Sequence, residues 1–136
     1  MTAELKFIGH IETPYKDPSE CPRNISLDGP QCTIILDPDY HEGLTSLEVG
    51  QHILVLYWFE NTDRSRMLQR PGGRPTGDLR GTFALRSPHR PNPIAAAVLP
   101  IAEIGEGRIT VYGLDCCNGT KLLDIKPAIH LEKPTE

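Results

Sequence analysis

The sequence has no long apolar run and no apparent leader. Its longest uninterrupted apolar stretch, Ile53 to Phe59, has only the length of a strand, whereas about 20 residues are needed to cross a bilayer. The first ten residues, MTAELKFIGH, contain no basic region followed by an apolar one, so they do not resemble a signal peptide. We therefore expect no membrane span and a cytoplasmic protein.

The cysteines lack the spacing of a metal site. Cys21, Cys32, Cys116 and Cys117 form no C-x-x-C pair, and the five scattered histidines complete no zinc pattern. We therefore predict no metal and interpret the cysteines as small thiols of the core.

The motifs of common nucleotide-binding and hydrolytic sites are also missing. Gly72 and Gly77 have the spacing of P-loop glycines, but Asp78 occupies the position of the phosphate-binding lysine. No strand is followed by G-x-G-x-x-G, which argues against a Rossmann-type site. Ser87 and His89 lie two residues apart without a nucleophile elbow, which argues against a hydrolase.

What the sequence does contain is proline and short apolar segments. The thirteen prolines disfavour long helices. Only EGLTSLEV, residues 42–49, predicts a helix, and a short one. Six or seven strands are predicted by β-branched, aromatic or alternating segments, at residues 5–13, 32–36, 51–59, 81–87, 94–104, 108–114 and 121–125. This pattern indicates an all-β barrel or sandwich with long loops, in one domain spanning residues 1–136.

Positive charge is concentrated in one part of an acidic chain. The net charge is −4, yet seven arginines and one acid, Asp78, lie between Arg64 and Arg90. This segment carries a local charge of +6 without a single lysine. Arginine forks favour contacts to phosphate or carboxylate. The segment is either a binding surface for such groups or a solvated loop.

A proline-rich loop, LRSPHRPNPI at residues 85–94, overlaps the end of this segment. Prolines at 88, 91 and 93 fix the backbone and restrict the residues before them. Such a loop could hold Arg86, His89 and Arg90 in fixed positions toward a polar ligand. It could equally be a stiffened crossing between two strands, and the two interpretations are compatible.

Taken together, five segments resemble the TsaA-like family. They are IGHIETPYK (8–16), PRN (22–24), LEVGQHILVLYWFEN (47–61), GTFALRSPHRPNPI (81–94) and GLDCCNGTKLLDIKP (113–127). The resemblance implies a small β-barrel of six to seven mostly antiparallel strands that works as a homodimer. It also implies an S-adenosylmethionine-dependent methyltransferase, acting on N6 of threonylcarbamoyladenosine beside the anticodon of tRNA.

The resemblance also implies where ligands bind. Together with the proline-rich loop, it predicts cofactor contacts at Pro22, Arg23, Asn24, Glu60, Asn61, Arg86, His89, Leu114, Asp115, Cys116 and Cys117. RNA contacts are predicted for arginines of the basic segment, namely Arg64, Arg66, Arg70, Arg74 and Arg90. No catalytic base is predicted, because the amine can lose its proton after attack on the methyl group.

The chain departs from the family pattern at several positions. Glu60 and Asn61 stand where members often have histidine and glutamine, Ala95 replaces a common glycine, and Ala128 replaces a tyrosine. The C-terminal extension of longer bacterial members is not found in these 136 residues. Two alternatives therefore stay open: a binding module for S-adenosylmethionine or RNA without catalysis, and a methyltransferase for another substrate.

Overall fold

A computed structural model describes residues 1–134 and confirms the predicted predominance of β-structure. The strands of the described chain are β1 Gly9–Glu12, β2 Gln31–Leu36, β3 His52–Trp58, β4 Leu68–Gln69, β5 Arg80–Gly81, β6 Ile94–Pro100, β7 Glu103–Gly105, β8 Arg108–Tyr112 and β9 Thr120–Pro127. The helical segments are 3-10 turns, at Pro18–Glu20, Pro38–Leu44, Pro71–Gly73, Thr82–Ala84 and His130–Glu132. None of the helical segments within residues 1–134 is long and apolar enough to cross a membrane.

Seven strands form one antiparallel sheet in the order β6-β3-β9-β1-β2-β8-β7, and β4 pairs with β5 separately. The two edge strands, β6 and β7, follow each other in sequence, so only Ile101 and Ala102 separate the edges at one corner. Over residues 1–134 no ladder joins β6 to β7. The closed barrel that we expected is therefore not confirmed.

The core lies on one face of this sheet, as the alternation of side chains along a strand requires. In β3, Ile53, Val55 and Tyr57 are almost fully buried while the residues between them are half-buried. In β2, Ile34 and Leu36 point to the same core. The sequence predicted both strands, at 32–36 and 51–59, and the structure adds which face of each is buried.

Two predicted elements were wrong. The strand expected at 81–87 is a 3-10 turn over Thr82–Ala84, because the Thr82 hydroxyl turns inward and donates to the Arg66 carbonyl at 2.6 Å. The helix expected at 42–49 is replaced by the 3-10 turn Pro38–Leu44. Ser46 follows it with a φ of 77°, a left-handed conformation that no right-handed helix can contain.

The strand expected at 94–104 is two strands, β6 and β7, separated by Ile101 and Ala102. The domain bounds of 1–136 stay a prediction, and their last two residues lie outside the described part of the chain.

Candidate functional site

A cavity of about 1220 Å³ opens where the loops between the strands meet. Nine of the eleven predicted cofactor residues line it, from four separate parts of the sequence: Pro22, Arg23, Asn24, Glu60, Asn61, Arg86, His89, Asp115 and Cys117. Two sets of loops form its sides. We call residues 13–26 with 113–120 the hairpin wall, after the Asn118-Gly119 pair that is typical of hairpin turns, although the flanking strands pair elsewhere, β8 with β2 and β7, and β9 with β1 and β3. Residues 60–74 with 85–89 are the arginine wall.

The hairpin wall depends on a close backbone contact at Gly113. The Ser26 N–H donates to the Gly113 carbonyl at 2.9 Å, and Gly113 has a φ of 85°. A Cβ on Gly113 would collide with the backbone of Ser26, so only glycine fits. This contact brings Pro22–Asn24 beside Asp115–Cys117, although about ninety positions separate them.

Hydrogen bonds join the Asn118-Gly119 turn to the segment that follows β1. The Thr13 hydroxyl donates to the Cys116 carbonyl at 2.8 Å, and the Thr13 N–H donates to Asn118 Oδ1 at 3.1 Å. The Asn118 N–H donates to the Tyr15 carbonyl at 2.7 Å. Because donors and acceptors are paired on both sides, the hairpin wall is held in one geometry.

Leu114 and Cys116, the other two predicted cofactor residues, do not line the cavity. Both side chains are fully buried in the core, where Leu114 packs among the sheet residues. Burial raises the pKa of the Cys116 thiol, which stays protonated. Alternation along the segment explains this placement, since Asp115 and Cys117 face the cavity while their neighbours face inward.

Asp115 is oriented by a core tyrosine that sequence reasoning missed. The Tyr57 hydroxyl, at the end of β3, donates to Asp115 Oδ1 at 2.6 Å. Burial, and then the Asp115 charge, raise the pKa of Tyr57, so it remains a donor. A buried tyrosine usually finds a polar partner, which could have suggested such a contact from the inward position of Tyr57. Phe59 packs edge-on against the Tyr57 ring at 5.5 Å.

The proline-rich loop satisfies most of its own polar groups. Arg90 Nη1 donates to the carbonyls of Leu85 at 2.9 Å and Ser87 at 3.0 Å, so Arg90 closes the loop from inside. His89 Nδ1 accepts from the Asp63 N–H at 3.0 Å. Only part of the predicted ligand platform is therefore open to the cavity, at Arg86 and His89.

Gln69, which lies within residues 60–74 of the arginine wall, joins that segment to the proline-rich loop. Its amide donates to Thr82 Oγ1 at 2.9 Å and to the His89 carbonyl at 2.6 Å, and it is buried. Nothing in the sequence marked Gln69 for this role, because an isolated glutamine in a polar segment is normally exposed.

The structure separates the predicted RNA-binding arginines into two groups. Arg66, Arg70 and Arg74 line the cavity. Arg64 is engaged elsewhere: its Nε donates to the Pro91 carbonyl at 2.6 Å, and its guanidinium lies 5.3 Å from the Trp58 ring centroid. Arg64 and Arg90 thus stabilise the proline-rich loop.

The cavity is positively charged although the chain is acidic. Two carboxylates, Glu60 and Asp115, face six cationic side chains, which are Lys16, Arg23, Arg66, Arg70, Arg74 and Arg86. Trp58 and Phe59 add aromatic surface. The site can therefore hold an aromatic ring, a group that binds carboxylate, and several anionic groups at once.

Two features at residues 61–62, on the lining of the cavity, are unusual. Asn61 has a φ of 60°, a left-handed conformation that asparagine adopts more readily than most residues. Thr62 Oγ1 is buried without a hydrogen-bond partner, the one such side-chain atom among the described residues. Because this oxygen is buried, a molecule in the cavity has no access to it.

The DIKP string lies elsewhere. Asp124, Ile125, Lys126 and Pro127 line a second cavity of about 570 Å³, which shares no residue with the first. There Lys126 Nζ and Asp124 Oδ2 form an ion pair of 2.9 Å.

Comparisons with known proteins identify the family to which the chain belongs. Residues 10–131 match the family model described as the tRNA-methyltransferase O N-terminal domain. The chain is 39% identical over 132 residues to a probable S-adenosyl-L-methionine-binding protein, VirR, of Rhizobium radiobacter, covering 97% of this chain and 74% of that protein. It is 36% identical over 122 residues to an S-adenosyl-L-methionine-binding protein of Archaeoglobus fulgidus, covering 90% and 86%.

The fold matches solved structures as well. The crystal structure of TrmO from Pseudomonas aeruginosa superposes with a TM-score of 0.77 at 31% identity, covering 95% of this chain and 56% of that one. The chain thus spans a little over half the length of that structure. The matched segment, the sequence identity and the fold together place the chain in the tRNA-methyltransferase O family, as a member related through its N-terminal domain.

Proposed function

We propose that this protein is a methyltransferase that uses S-adenosylmethionine to methylate N6 of threonylcarbamoyladenosine beside the anticodon of tRNA. The observation that carries this proposal is the convergence of nine predicted cofactor residues on one cavity. Family membership and the names of the relatives, which refer to S-adenosylmethionine binding, support the cofactor.

The chemistry of the lining residues fits this cofactor. Asp115 and Glu60 can accept from ammonium or ribose hydroxyl groups, and Arg86 can pair with a carboxylate. Trp58 and Phe59 offer surface to a purine ring. The cofactor supplies a methyl group bonded to a positively charged sulfur.

The contribution of the protein is alignment. Holding two reacting groups at about 3–3.5 Å in line can supply about 7–11 kcal/mol of a barrier. Tyr57 fixes Asp115, and the Thr13 and Asn118 contacts fix the hairpin wall, so that wall presents a rigid surface for orientation. The attacking N6 bears a carbamoyl group and one proton, and that proton can pass to water as the bond between N6 and the methyl carbon forms and the bond between the sulfur and that carbon breaks.

The size and charge of the cavity support a nucleic-acid substrate. Ligand pockets usually measure about 300–1,000 Å³, so about 1220 Å³ can admit a cofactor and part of a second molecule. Arg66, Arg70 and Arg74 border this space and suit phosphates that flank a splayed adenine. Such a substrate also favours a cytoplasmic location.

A homodimer is part of the same proposal. The family resemblance implies it, and Phe7, Phe83 and Ile94 expose apolar surface that a second copy could cover. Light scattering at micromolar concentration should give twice the 15.1 kDa of one chain. A mass of one chain would contradict the dimer.

The experiment that tests the proposed function separates binding from catalysis. Calorimetry should give about one S-adenosylmethionine per chain, and labelled methyl groups should reach tRNA that carries threonylcarbamoyladenosine but not tRNA that lacks it. Binding without transfer to any tRNA would favour the alternative, a module without catalysis. Transfer to tRNA without the modification would favour another substrate.

A further inference from the structure

Two thiols from distant parts of the sequence meet in the hairpin wall. Cys21 Sγ and Cys117 Sγ lie 3.4 Å apart, although 96 positions separate the residues. Both are partly accessible and line the cavity, whereas Cys32 and Cys116 are buried in the core. All four cysteines are free.

The two thiols differ in how firmly their backbones are held. Cys117 directly precedes the Asn118-Gly119 turn, and its carbonyl accepts from the Thr120 N–H at 3.2 Å and from the Thr120 hydroxyl at 2.7 Å. Cys21 ends a single 3-10 turn, and its N–H donates to the Pro18 carbonyl at 3.2 Å. If the two sulfurs approach each other, we therefore expect the backbone at Cys21 to shift rather than the backbone at Cys117.

We propose that Cys21 and Cys117 are a site of reversible oxidation, at which hydrogen peroxide converts the thiol pair into a disulfide across the hairpin wall. An S–S bond of about 2.05 Å requires the sulfurs to approach by roughly 1.4 Å from their present positions. Side-chain rotation and a small backbone shift at Cys21 can supply that distance. The disulfide itself does not depend on the proposed function.

The reaction balances with one peroxide. The Cys117 sulfur attacks a peroxide oxygen, the O–O bond breaks, and one water leaves a sulfenic acid behind. The Cys21 sulfur then attacks the Cys117 sulfur, the S–O bond breaks, and the thiol proton leaves in a second water. Two thiols are oxidised and one peroxide is reduced. The same balance holds if the Cys21 sulfur is oxidised first and the Cys117 sulfur attacks it.

The disulfide has a consequence for the cavity that rests on the proposed function. Pro22–Asn24 directly follow Cys21 and line the same wall. When Cys21 shifts toward Cys117, these predicted cofactor contacts shift with it, and binding sites tolerate displacements of only about 0.5 Å. Oxidation is therefore expected to lower cofactor affinity, and reduction to restore it.

Peptide mapping tests the bond. The full chain is treated with hydrogen peroxide, and its mass should fall by about 2 Da, as two hydrogens are lost. Digestion should then give one cross-linked peptide pair that contains Cys21 and Cys117 and disappears with dithiothreitol. Cys21→Ser and Cys117→Ser should each abolish the cross-link, while Cys116→Ala, the matched control, should keep it. A cross-link to Cys32 or Cys116, or sulfinic acids without a cross-link, would overturn the proposal.

Two further measurements test the effect of the disulfide on stability and on cofactor affinity. The melting temperature should rise by about 5 °C or more on oxidation, because the bond closes a long loop, and should not rise in Cys21→Ser. The affinity for S-adenosylmethionine should fall at least threefold in the oxidised protein. Equal affinity in both forms would overturn the effect on the cofactor. Absence of binding in both forms would instead contradict the proposed function and leave the disulfide standing.

Discussion

The two walls of the cavity are built differently. The hairpin wall is continuous with β1 and β9, and its turn is paired to the segment after β1 at Thr13 and Asn118. The arginine wall rests on a hairpin of two two-residue strands and on the buried amide of Gln69. The difference suggests a division of work: the hairpin wall fixes the side of the cofactor site formed by Pro22–Asn24 and Asp115, whereas Arg66, Arg70 and Arg74 of the arginine wall adapt to a larger anionic partner.

Gly113→Ala should break the hairpin wall and have the largest effect. The added methyl group would collide with the Ser26 backbone, and the alanine would also have to adopt a φ of 85°. We expect a loss of about 3 kcal/mol or more in the free energy of unfolding, measured in urea, together with loss of cofactor binding.

Gly119→Ala is the matched control for this substitution. It has a similar φ of 87°, but open space surrounds its Cβ position. It should cost only about 1 kcal/mol. Equal losses at the two glycines would mean that the close approach at Gly113 contributes nothing beyond its backbone conformation.

Replacing Arg66, Arg70 and Arg74 together by alanine should disable the arginine wall alone. If each contacts a phosphate, tRNA affinity should fall about a hundredfold or more. The slope of log K against log salt should become flatter by about 0.7 for each lost contact. Filter binding at several salt concentrations measures both quantities.

Cofactor affinity in this triple variant should stay unchanged, which is the sharpest contrast between the walls. Arg108→Ala, an exposed arginine on β8 outside the cavity, is the control for net charge. If the triple variant binds and methylates tRNA like the parent, the basic segment is a solvated loop.

Particular residues show which parts of the fold could be predicted from the sequence. The apolar run of β3 predicted the strand, but it did not specify the buried face, because its residues are apolar on both faces and the alternation of burial appears only in the structure. GTFALRS has the same composition as a strand, yet Thr82 donates to a distant carbonyl and turns the chain. That hydrogen bond depends on tertiary structure, so no local pattern could have predicted it.

The site was predictable as a set of segments but not as a set of contacts. Motifs placed Arg64 and Arg90 in the basic segment, but only the structure reveals that their forks pair with carbonyls of the proline-rich loop. The Tyr57–Asp115 contact joins residues 58 positions apart and leaves no mark on either local sequence.

Tyr57→Phe should affect the hairpin wall without unfolding it. The variant keeps the ring and its packing against Phe59 but frees Asp115 to rotate. Hydrogen bonds to charged groups contribute about 1.5–3 kcal/mol, so cofactor affinity should fall about tenfold by calorimetry. Tyr112→Phe, at an exposed position on β8, should bind like the parent. An unchanged affinity in Tyr57→Phe would mean that Asp115 needs no orientation.

The last prediction concerns stability at alkaline pH, and no effect is expected near neutral pH. Burial raises the pKa values of Cys32, Cys116 and Tyr57 above their ordinary values of 9.0 and 10.0. In the unfolded chain these groups ionise near pH 9 to 10, whereas the folded protein keeps their protons. The folded state therefore binds more protons in this range, and its stability must fall as the pH rises.

Below pH 8 these groups are protonated in both states, so the free energy of unfolding should not depend on them. Above pH 9 it should decline by up to about 1.4 kcal/mol per pH unit for each group that ionises only in the unfolded chain. Cys116→Ala should give a shallower decline in urea titrations at pH 8 to 10.5. Because the folded protein keeps the Cys116 proton over this range, the hairpin wall keeps its geometry, and cofactor binding should persist until the protein unfolds. Loss of cofactor binding at a pH where the protein is still folded would contradict a protonated Cys116 in the native state.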